Sequence, residues 1–321
     1  MKQVLVIISL LLIFACKSDF TSRVAAVVKP LNSNIRQPII LIGGLMSSPK
    51  TWSNGDDGGL VNYLRTYSDL VYGGTLVTDH NKKVSHLNRQ EGKVDFFVTG
   101  FYDSTREIDA LTLELEQFIK YVLDYTNAPF VTLVGHSMGG VVARNYVVKN
   151  YDNHHVESII TLSSPHGGSY FANLLYGGGL ILGDEKERIF EFLELRTGLN
   201  WKSLAVSDLI DSGPECYLTK LNSKLHPTDV NYFSIIASAK FLAIIEPMLE
   251  QFDDFIPGNT NGDWVVSLES QNMDYVKAFQ ITGEKPRVLG SFQVDDATHF
   301  SIKHKYEILA SIIESFIERV N

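Results

Sequence analysis

A serine, an acidic residue and a histidine follow one another along this chain at positions that suit nucleophilic catalysis. Ser137 lies in Gly135-His136-Ser137-Met138-Gly139, directly after the apolar run Phe130-Val131-Thr132-Leu133-Val134 and before apolar residues at helical spacing. A serine hydroxyl is a weak nucleophile that needs a histidine base oriented by a carboxylate. A tight strand-to-helix turn exposes such a serine, and Cβ atoms at Gly135 and Gly139 would crowd that turn. The placement predicts Ser137 as a nucleophile, with a Gly-rich loop as the alternative.

Two segments downstream of Ser137 offer its partners. Asn261-Gly262-Asp263-Trp264-Val265-Val266 places an acid beside a short apolar run, and Asp295-Asp296-Ala297-Thr298-His299-Phe300 places a histidine before the last helical pattern. The loops at the carboxyl ends of parallel strands meet at one edge of a sheet. The order therefore predicts Ser137, Asp263 and His299 as a catalytic triad.

Other acids and histidines compete for these roles. The competitors are three acids that no strand directly follows and three histidine positions, namely Asp208, Asp253, Asp254, His136, His304 and the pair His154-His155. An Asp after Asn-Gly, as at position 263, is also a common turn former. We expect His136 to pack inside the turn, His304 to begin the final helix and His154-His155 to form a solvated turn rather than a metal site.

Stabilising a tetrahedral oxyanion requires two backbone N–H donors. One is predicted at Met138, directly after the nucleophile. The other is predicted at Leu45, in the Gly43-Gly44-Leu45-Met46 loop that follows the apolar run Ile39-Ile40-Leu41-Ile42. The alternative is that the two glycines only turn the chain.

Strand-like and helix-like segments alternate from Pro38 onward. Strands are predicted at 39–42, 94–101, 130–134, 158–162, 232–237, 264–266 and 288–292. Ser104, with Glu107 at capping-box spacing, is expected to cap a helix that ends near Asn127, and residues 305–320 form a closing amphipathic helix. Such alternation predicts one α/β domain over residues 38–321, with a mainly parallel sheet covered by helices on both faces.

An insertion of about residues 169–230 interrupts this rhythm. It contains the apolar, Gly-rich stretch 171–182 and helix candidates at 184–196, 201–210 and 216–225. Gly177-Gly178-Gly179 suits a hinge, so the insertion is either a lid that opens onto lipid or a helical cap packed permanently on the sheet.

Residues 1–15 have the pattern of a signal peptide, with Lys2 before an apolar stretch from Val4 to Ala15 that is too short to span a bilayer. Ile13-Phe14-Ala15-Cys16 resembles a bacterial lipobox, although Phe14 is bulkier than that pattern usually carries. The resemblance implies a lipidated Cys16, a tether over residues 16–37 and attachment to a membrane of the bacterial cell envelope. Secretion without lipidation is the alternative.

Charge and cysteine content narrow the possible partners. Without residues 1–15, which hold one lysine, the chain has 27 basic and 37 acidic residues, a net charge of -10. This balance argues against binding to nucleic acid or to anionic lipid. Cys16 and Cys216 are the two cysteines of the sequence, so lipidation of Cys16 leaves Cys216 without an intramolecular disulfide partner.

The chain resembles the bacterial triacylglycerol lipase and esterase branch of the α/β-hydrolase family over most of residues 38–305. The shared landmarks are Gly44-Leu45 with Trp52, the turn at 135–139, the segment Leu162-Ser163-Ser164-Pro165-His166-Gly167-Gly168-Ser169, the segment 217–222, Asp263 with Val266, and His299. The resemblance implies hydrolysis of acyl esters by Ser137, Asp263 and His299. It also implies a structural role for Pro165-His166-Gly167 beside the site.

The sequence departs from that family at two places. Gly43 replaces the usual histidine before the oxyanion glycine, and the segment around His299 lacks the pattern of the calcium-binding lipases. Asp295 and Asp296 are the candidate calcium ligands of this segment. Because the calcium-binding pattern is missing, we expect neither a metal nor another cofactor. An acyltransferase using the same triad and a non-catalytic surface-binding lipoprotein stay open as alternatives, as do the acyl chain length and the oligomeric state.

Overall fold

The computed structural model describes residues 37–53, 58–169, 172–173, 203–210, 213–239, 262–263, 265–276 and 286–320 of the 321-residue chain. The predicted signal segment 1–15 and Cys16 lie outside these residues, as does the tether up to residue 36. Most of the apolar stretch 171–182 and the helix predicted at 184–196 lie outside them too. These features stay predictions.

One sheet organises the described residues. Its eight strands stand in the order β3-β2-β4-β1-β5-β6-β7-β8, and β2–β3 is the antiparallel pair among otherwise parallel ones. The strands are β1 Ile39–Ile42, β2 Tyr72–Thr78, β3 Val84–Leu87, β4 Phe96–Gly100, β5 Val131–His136, β6 Val156–Leu162, β7 Asn231–Ser238 and β8 Arg287–Asp295. The predicted mainly parallel sheet is confirmed.

Helices cover both faces of this sheet. The described α-helices are α1 Gly59–Tyr67, α2 Ile108–Thr126, α3 Met138–Lys149, α4 Leu204–Ser207, α5 Tyr217–Asn222, α6 Leu268–Gln271 and α7 Tyr306–Val320. Short 3-10 helices occupy Pro49–Trp52, Met273–Tyr275 and Ile302–His304. No helix in the described ranges combines the length and apolar character needed to span a bilayer.

Strand β1 shows why its sequence is continuously apolar. Ile40 and Ile42 join the core formed with α2 and α3, whereas Ile39 and Leu41 join the core formed with α1 and α7. Successive side chains of a strand point to opposite faces, so a strand covered on both faces needs apolar residues throughout. This central strand therefore ties the two halves of the core together.

The sequence patterns did not predict three elements, namely β2, β3 and α1. Strand β2 has a register irregularity against β4 between Tyr72 and Gly74, and the Gly73-Gly74 pair breaks its apolar run. Strand β3 is polar and half exposed, and α1 begins after the left-handed Gly58 without a side-chain cap. Local propensity is therefore weak in all three, and tertiary packing decides their structure.

The strand predicted at 264–266 is absent as far as the described residues go. Gly262 forms isolated bridges to Ala239 and Ser267, and Val265 and Val266 lie in the turn between them. Both valine amides donate to the Asp263 carboxylate, so the side chain holds a turn where the apolar letters indicated a strand.

The predicted capping box at Ser104 and Glu107 is wrong. Helix α2 begins at Ile108 with Glu107 at its N-cap, and neither side chain caps the helix. The Ile108 amide instead donates to Asp208 Oδ2 at 2.9 Å, across 100 residues of sequence. A long-range carboxylate takes the place of the local cap, which no local pattern can reveal.

The described part of the insertion packs on the core of the sheet domain. The Ala205 amide donates to Thr105 O at 3.1 Å, the Tyr217 hydroxyl donates to Asp109 Oδ1 at 2.6 Å, and Ala205, Leu209 and Leu218 belong to the core on the α2–α3 side. These contacts fix residues 203–210 and 213–222 to α2. For the rest of the insertion, a lid and a permanently packed cap both stay predictions.

The Asp208 cap should give this contact a measurable pH dependence. Burial raises the pKa of the Asp208 carboxyl to about 6 from 3.8; the Ile108 amide opposes that rise, and Glu107 and Asp109 add to it. Between these two pKa values the folded state binds more protons, so the Asp208 contribution to stability falls as pH rises. Asp208→Asn keeps an acceptor for Ile108 without titrating. The free energy of unfolding of Asp208→Asn minus that of the wild type should therefore be about 1 kcal/mol larger at pH 8 than at pH 5, a value discounted for partial exposure.

Urea unfolding at the two pH values measures this difference. Asp152→Asn, which removes an exposed carboxylate in the loop after α3, is the matched control and should show no such change between pH 5 and pH 8. A pH-independent effect of Asp208→Asn would contradict the assignment of Asp208 as a partly buried, titrating cap.

Candidate active site

Ser137 lies at a strained turn between β5 and α3. Its backbone has φ 55° and ψ -130°, a conformation that costs a non-glycine residue about 1–3 kcal/mol. A Cβ at Gly135 would lie 2.5 Å from Gly140 N, and one at Gly139 would lie 2.6 Å from Gly43 O. The crowding expected at both glycines is therefore present. Because Gly139 lacks a Cβ, the start of α3 packs directly against the loop that follows β1.

The three predicted triad residues meet at the carboxyl edge of the sheet. Ser137 Oγ lies 2.8 Å from His299 Nε2, and His299 Nδ1 lies 2.8 Å from Asp263 Oδ2. An ionised carboxylate only accepts, so Nδ1 carries the proton and Nε2 is free to accept the Ser137 hydroxyl proton. Asp263 is fully buried, and Ser137 is 8% exposed. The arrangement is a hydrogen-bonded relay from hydroxyl to imidazole to carboxylate.

The turn around Asp263 orients its carboxylate. Oδ1 accepts the Val265 amide at 2.9 Å and the Val266 amide at 2.8 Å, which leaves Oδ2 for His299. The Asp263 carbonyl also accepts the His299 amide at 2.9 Å. Hydrogen bonds to an ionised acceptor are stronger than neutral ones. The acid thus holds both the ring and the backbone of the base.

His136 contributes a contact that the sequence did not reveal. Its Nε2–H donates to the His299 carbonyl at 2.9 Å, and its ring is tilted against the His299 ring at a centroid distance of 5.2 Å. Burial holds the pKa of His136 well below 6.5, and the nearby His299, Lys303 and His304 lower it further against the opposing carbonyl contact. His136 therefore packs, as expected. As a neutral hydrogen-bond donor, it also fixes the backbone of His299.

The loop after β1 passes directly beside the nucleophile. A Cβ at Gly44 would lie 2.7 Å from Ser137 Cβ and 3.0 Å from His136 O, so only glycine fits there. Gly44 O accepts both the Ser47 amide at 3.2 Å and the Ser47 hydroxyl at 2.7 Å. In a trans peptide the carbonyl oxygen and the next N–H point in opposite directions. Fixing Gly44 O therefore also fixes the direction of the Leu45 amide.

The two predicted oxyanion donors are available in this geometry. Within the described ranges, neither the Leu45 nor the Met138 amide donates a hydrogen bond. Met138 is the first residue of α3, and the first N–H groups of a helix have no intrahelical acceptor. Their role as an oxyanion hole stays a prediction, and the local geometry is compatible with it.

The segment after β6 links the nucleophile to the acid. Ser164 Oγ donates to Gly135 O at 3.4 Å, while the His166 amide donates to Ser270 O at 2.9 Å. Ser169 Oγ donates to Val265 O at 2.9 Å, next to Asp263. Residues 163–169, which we call the corner segment, thus form a structural support between the two sides of the site.

Apart from His136, the competing residues have other partners or fall outside the described ranges. Asp208 caps α2, and Asp253 and Asp254 fall outside the described residues. His304 ends a 3-10 helix and contacts the Tyr306 hydroxyl through Nδ1 at 2.9 Å. His154 is buried, with Nδ1 accepting the Val156 amide and Nε2 at 3.2 Å from Asp229, so the expected solvated turn is wrong for this residue.

The candidate calcium ligands do not form a cluster. Asp295 and Asp296 are exposed, and Asp295 Oδ1 accepts Gln293 Nε2 at 2.7 Å. The described residues contain no group of three or more metal-ligating side chains.

Comparison with known sequences finds similarity over parts of the chain. A family model described as "PGAP1-like alpha/beta domain" matches residues 36–174. GPI inositol-deacylase A of Yarrowia lipolytica is 36% identical over 137 residues, which is 36% of this chain and 13% of that protein. GPI inositol-deacylase of Chaetomium globosum is 30% identical over 101 residues, which is 26% of this chain and 9% of that protein. These matches therefore span a small part of the relatives.

Solved structures extend the similarity to nearly the whole chain. The mature lipase BlEst2 of Bacillus licheniformis has a TM-score of 0.58 at 16% identity, covering 91% of this chain and 95% of that one. EstA of Clostridium botulinum has a TM-score of 0.55 at 14% identity, covering 91% of this chain and 89% of that one. The lipase of Staphylococcus hyicus has a TM-score of 0.53 at 14% identity, covering 92% and 98%. At such low identity the similarity concerns the fold.

The strand order, the strained serine turn and these similarities lead to one result. The chain has the α/β-hydrolase fold that these solved lipase and esterase structures share, and its residues 36–174 match the PGAP1-like alpha/beta domain.

Proposed function

We propose that this protein is a serine hydrolase that cleaves carboxylic esters of lipids through an acyl-enzyme on Ser137. The observation that carries the proposal is the continuous relay of 2.8 Å contacts from Ser137 Oγ to His299 Nε2 and from His299 Nδ1 to Asp263 Oδ2. Nucleophile, base and orienting acid are within hydrogen-bond reach of one another, as nucleophilic catalysis requires.

Acylation starts when Ser137 Oγ attacks the ester carbonyl carbon and His299 Nε2 takes the hydroxyl proton. The carbonyl oxygen becomes an oxyanion, for which the Leu45 and Met138 amides are the proposed donors. The bond to the alcohol oxygen then breaks, and His299 returns its proton to that oxygen. Asp263 keeps the proton on Nδ1 throughout and stabilises the imidazolium that forms.

Deacylation repeats these steps with water as the nucleophile. His299 Nε2 accepts a proton from water while the water oxygen attacks the acyl carbon, and the bond to Ser137 Oγ then breaks as His299 reprotonates the serine. A carboxylic acid leaves and the enzyme is restored. His136 supports both steps because it fixes the His299 carbonyl at 2.9 Å while remaining neutral.

A lipid substrate is supported by the relatives and by an apolar residue beside the base. Phe300 follows His299, contacts its ring at a centroid distance of 5.5 Å, and is 47% exposed. An exposed apolar side chain beside the base suits a substrate with an acyl chain.

The relatives favour a second, narrower candidate. The matched proteins are named GPI inositol-deacylases, and the PGAP1-like alpha/beta domain that matches residues 36–174 includes Ser137. That name implies an acyl group leaving an inositol hydroxyl. Comparing acyl esters of inositol and of glycerol with the same acyl chain distinguishes this candidate from a general lipid esterase.

Ser137→Ala should abolish covalent labelling by a fluorophosphonate probe and lower ester turnover by about 10⁴-fold or more, because the attacking oxygen is lost. Labelling is read by mass spectrometry of the modified peptide, and folding by circular dichroism. Ser85→Ala removes an exposed hydroxyl on β3 and should label as wild type does. Persistent labelling of a folded Ser137→Ala protein would reject Ser137 as the nucleophile.

Gly44→Ala should lower kcat by about a hundredfold, the usual cost of losing an oxyanion donor. The added Cβ would lie 2.7 Å from Ser137 Cβ and must displace either the nucleophile or the loop bearing the Leu45 amide. Gly213→Ala is the matched control, since its added Cβ would have Cys216 Sγ at 3.8 Å as its nearest heavy atom. Equal kcat values for the two variants would contradict the placement of this loop.

Phe300→Ala should lower kcat/KM for long-chain nitrophenyl esters about fivefold more than for acetyl esters. The reason is that a long acyl chain covering part of this ring gains about 1 kcal/mol of apolar burial. Phe292→Ala, which removes an exposed ring on β8, should leave the chain-length preference unchanged. Wild-type activity confined to acetyl and other short soluble esters would overturn the lipid assignment while leaving the esterase mechanism standing.

A further inference from the structure

Arg144 is a buried cation that the catalytic machinery does not use. It lies in the middle of α3, and its side chain is completely buried. One guanidinium nitrogen, Nη2, donates to His166 O at 3.4 Å, while Nε and Nη1 have no hydrogen-bond partner among the described residues. Buried arginines are ordinarily paired, because an unsatisfied buried donor costs about 1–3 kcal/mol and more when it is charged.

In the part of the chain that the structure describes, the groups around Arg144 do not supply a negative charge. The titratable side chains that interact with it electrostatically are His166, Tyr217, His226 and Tyr232, from the corner segment, α5, the loop after α5 and β7. Burial and, to a smaller extent, the guanidinium hold the pKa of His166 well below 6.5 and lower that of His226 to about 3. At neutral pH these four groups are uncharged.

The guanidinium itself remains charged. Burial lowers the pKa of Arg144 to about 9, which still leaves it protonated at neutral pH, as arginine is in proteins generally. The described residues therefore place one positive charge in the interior with no carboxylate acting on it. Burying such a charge without compensation costs several kcal/mol.

Further unpaired polar atoms lie in the same cluster. Within the described residues, His166 Nδ1 and Asn222 Oδ1 have no hydrogen-bond partner, although Asn222 Nδ2 donates to His166 O at 2.9 Å. His166 Nε2 contacts Thr161 Oγ1 at 3.1 Å, and the Thr161 hydroxyl donates to Phe233 O at 3.5 Å, so Nε2 donates to Thr161 and Nδ1 is an acceptor. The unused nitrogen donors of the cluster are therefore Arg144 Nε and Nη1.

We propose that the Arg144 guanidinium holds a small monovalent anion of the halide class, chloride in physiological solution, inside the fold between α3, the corner segment and α5. A single-atom anion brings a full negative charge in the least volume, as an enclosed site demands. An oxyanion such as sulfate carries more charge and size than one guanidinium in this enclosure matches.

The position of this site gives the anion a structural role. The His166 carbonyl binds Arg144 and Asn222, while the His166 amide binds Ser270, so one residue connects the cluster to the segment beside the acid turn. The bound anion thus stabilises the packing of α5 and the corner segment. This role is independent of ester hydrolysis.

The test compares sodium chloride, sodium bromide and sodium gluconate at one ionic strength. The melting temperature of the wild-type protein should rise by several degrees and saturate with chloride or bromide, because a ligand that binds only the folded state stabilises it. Gluconate is too large to enter and should have no such effect. Equal melting curves in all three salts would overturn the proposal.

Variants assign the effect to Arg144. Arg144→Met, of similar volume and uncharged, should fold and lose the halide dependence, because an apolar replacement of a buried charge is tolerated. Arg65→Met removes an exposed cation on α1 and should keep the dependence. Halide dependence that persists in folded Arg144→Met would reject the site.

A direct observation keeps the proposal falsifiable if Arg144→Met does not fold. Crystals of the wild-type protein grown with bromide should show an anomalous scattering peak within about 3.5 Å of the Arg144 guanidinium. A water molecule at that place without an anomalous signal would overturn the proposal.

Discussion

The close approach of the first turn of α3 to the loop after β1 is the constraint on which the site depends. Gly139 has no room for a Cβ against Gly43 O, and Gly44 has none against Ser137. The same contact forms the serine turn and brings Gly44, the residue before Leu45, beside Ser137. The strained Ser137 backbone persists because β5 pairs with β1 and β6 and because residues 138–147 of α3 are all buried. Rigid packing thus holds a geometry that the local sequence would not adopt alone.

His299 shows how a loop residue can be positioned as firmly as one in a strand. All four of its polar atoms are engaged: the amide and Nδ1 by Asp263, the carbonyl by His136, and Nε2 by Ser137. Two adjacent residues of the strained turn therefore hold the base from one side, and the acid holds it from the other. The corner segment joins these two sides through Ser164 and Ser169. Displacing any one of them would move the base relative to the nucleophile.

The sequence predicted those parts of the fold whose cause is local. The β1 run and the serine turn were foreseen because a doubly covered strand and a strand-to-helix elbow leave dense local patterns. Strand β2 was not foreseen because Gly73-Gly74 interrupts it, and the start of α2 was misplaced because its cap, Asp208, comes from 100 residues away. Ser137, Asp263 and His299 could be ordered along the chain, yet their contacts, and the His136 bond to the His299 carbonyl, depend on tertiary structure. The types of the catalytic residues and their order along the chain can be predicted from the sequence, whereas the contacts between distant residues cannot.

The buried charged side chains differ in whether neighbouring groups compensate their charge. Glu114 is fully buried and binds Arg106 Nη1 at 2.6 Å, the Tyr102 amide at 3.0 Å and the Thr78 hydroxyl. Asp263 is equally buried and receives two amides and the His299 ring. In both places several donors surround one carboxylate, which is how a fold offsets the cost of removing a charge from water. Arg144 is buried to the same extent with one long contact, to His166 O. Since the buried carboxylates are matched so completely, the unmatched guanidinium implies a counter-charge that the described side chains do not supply.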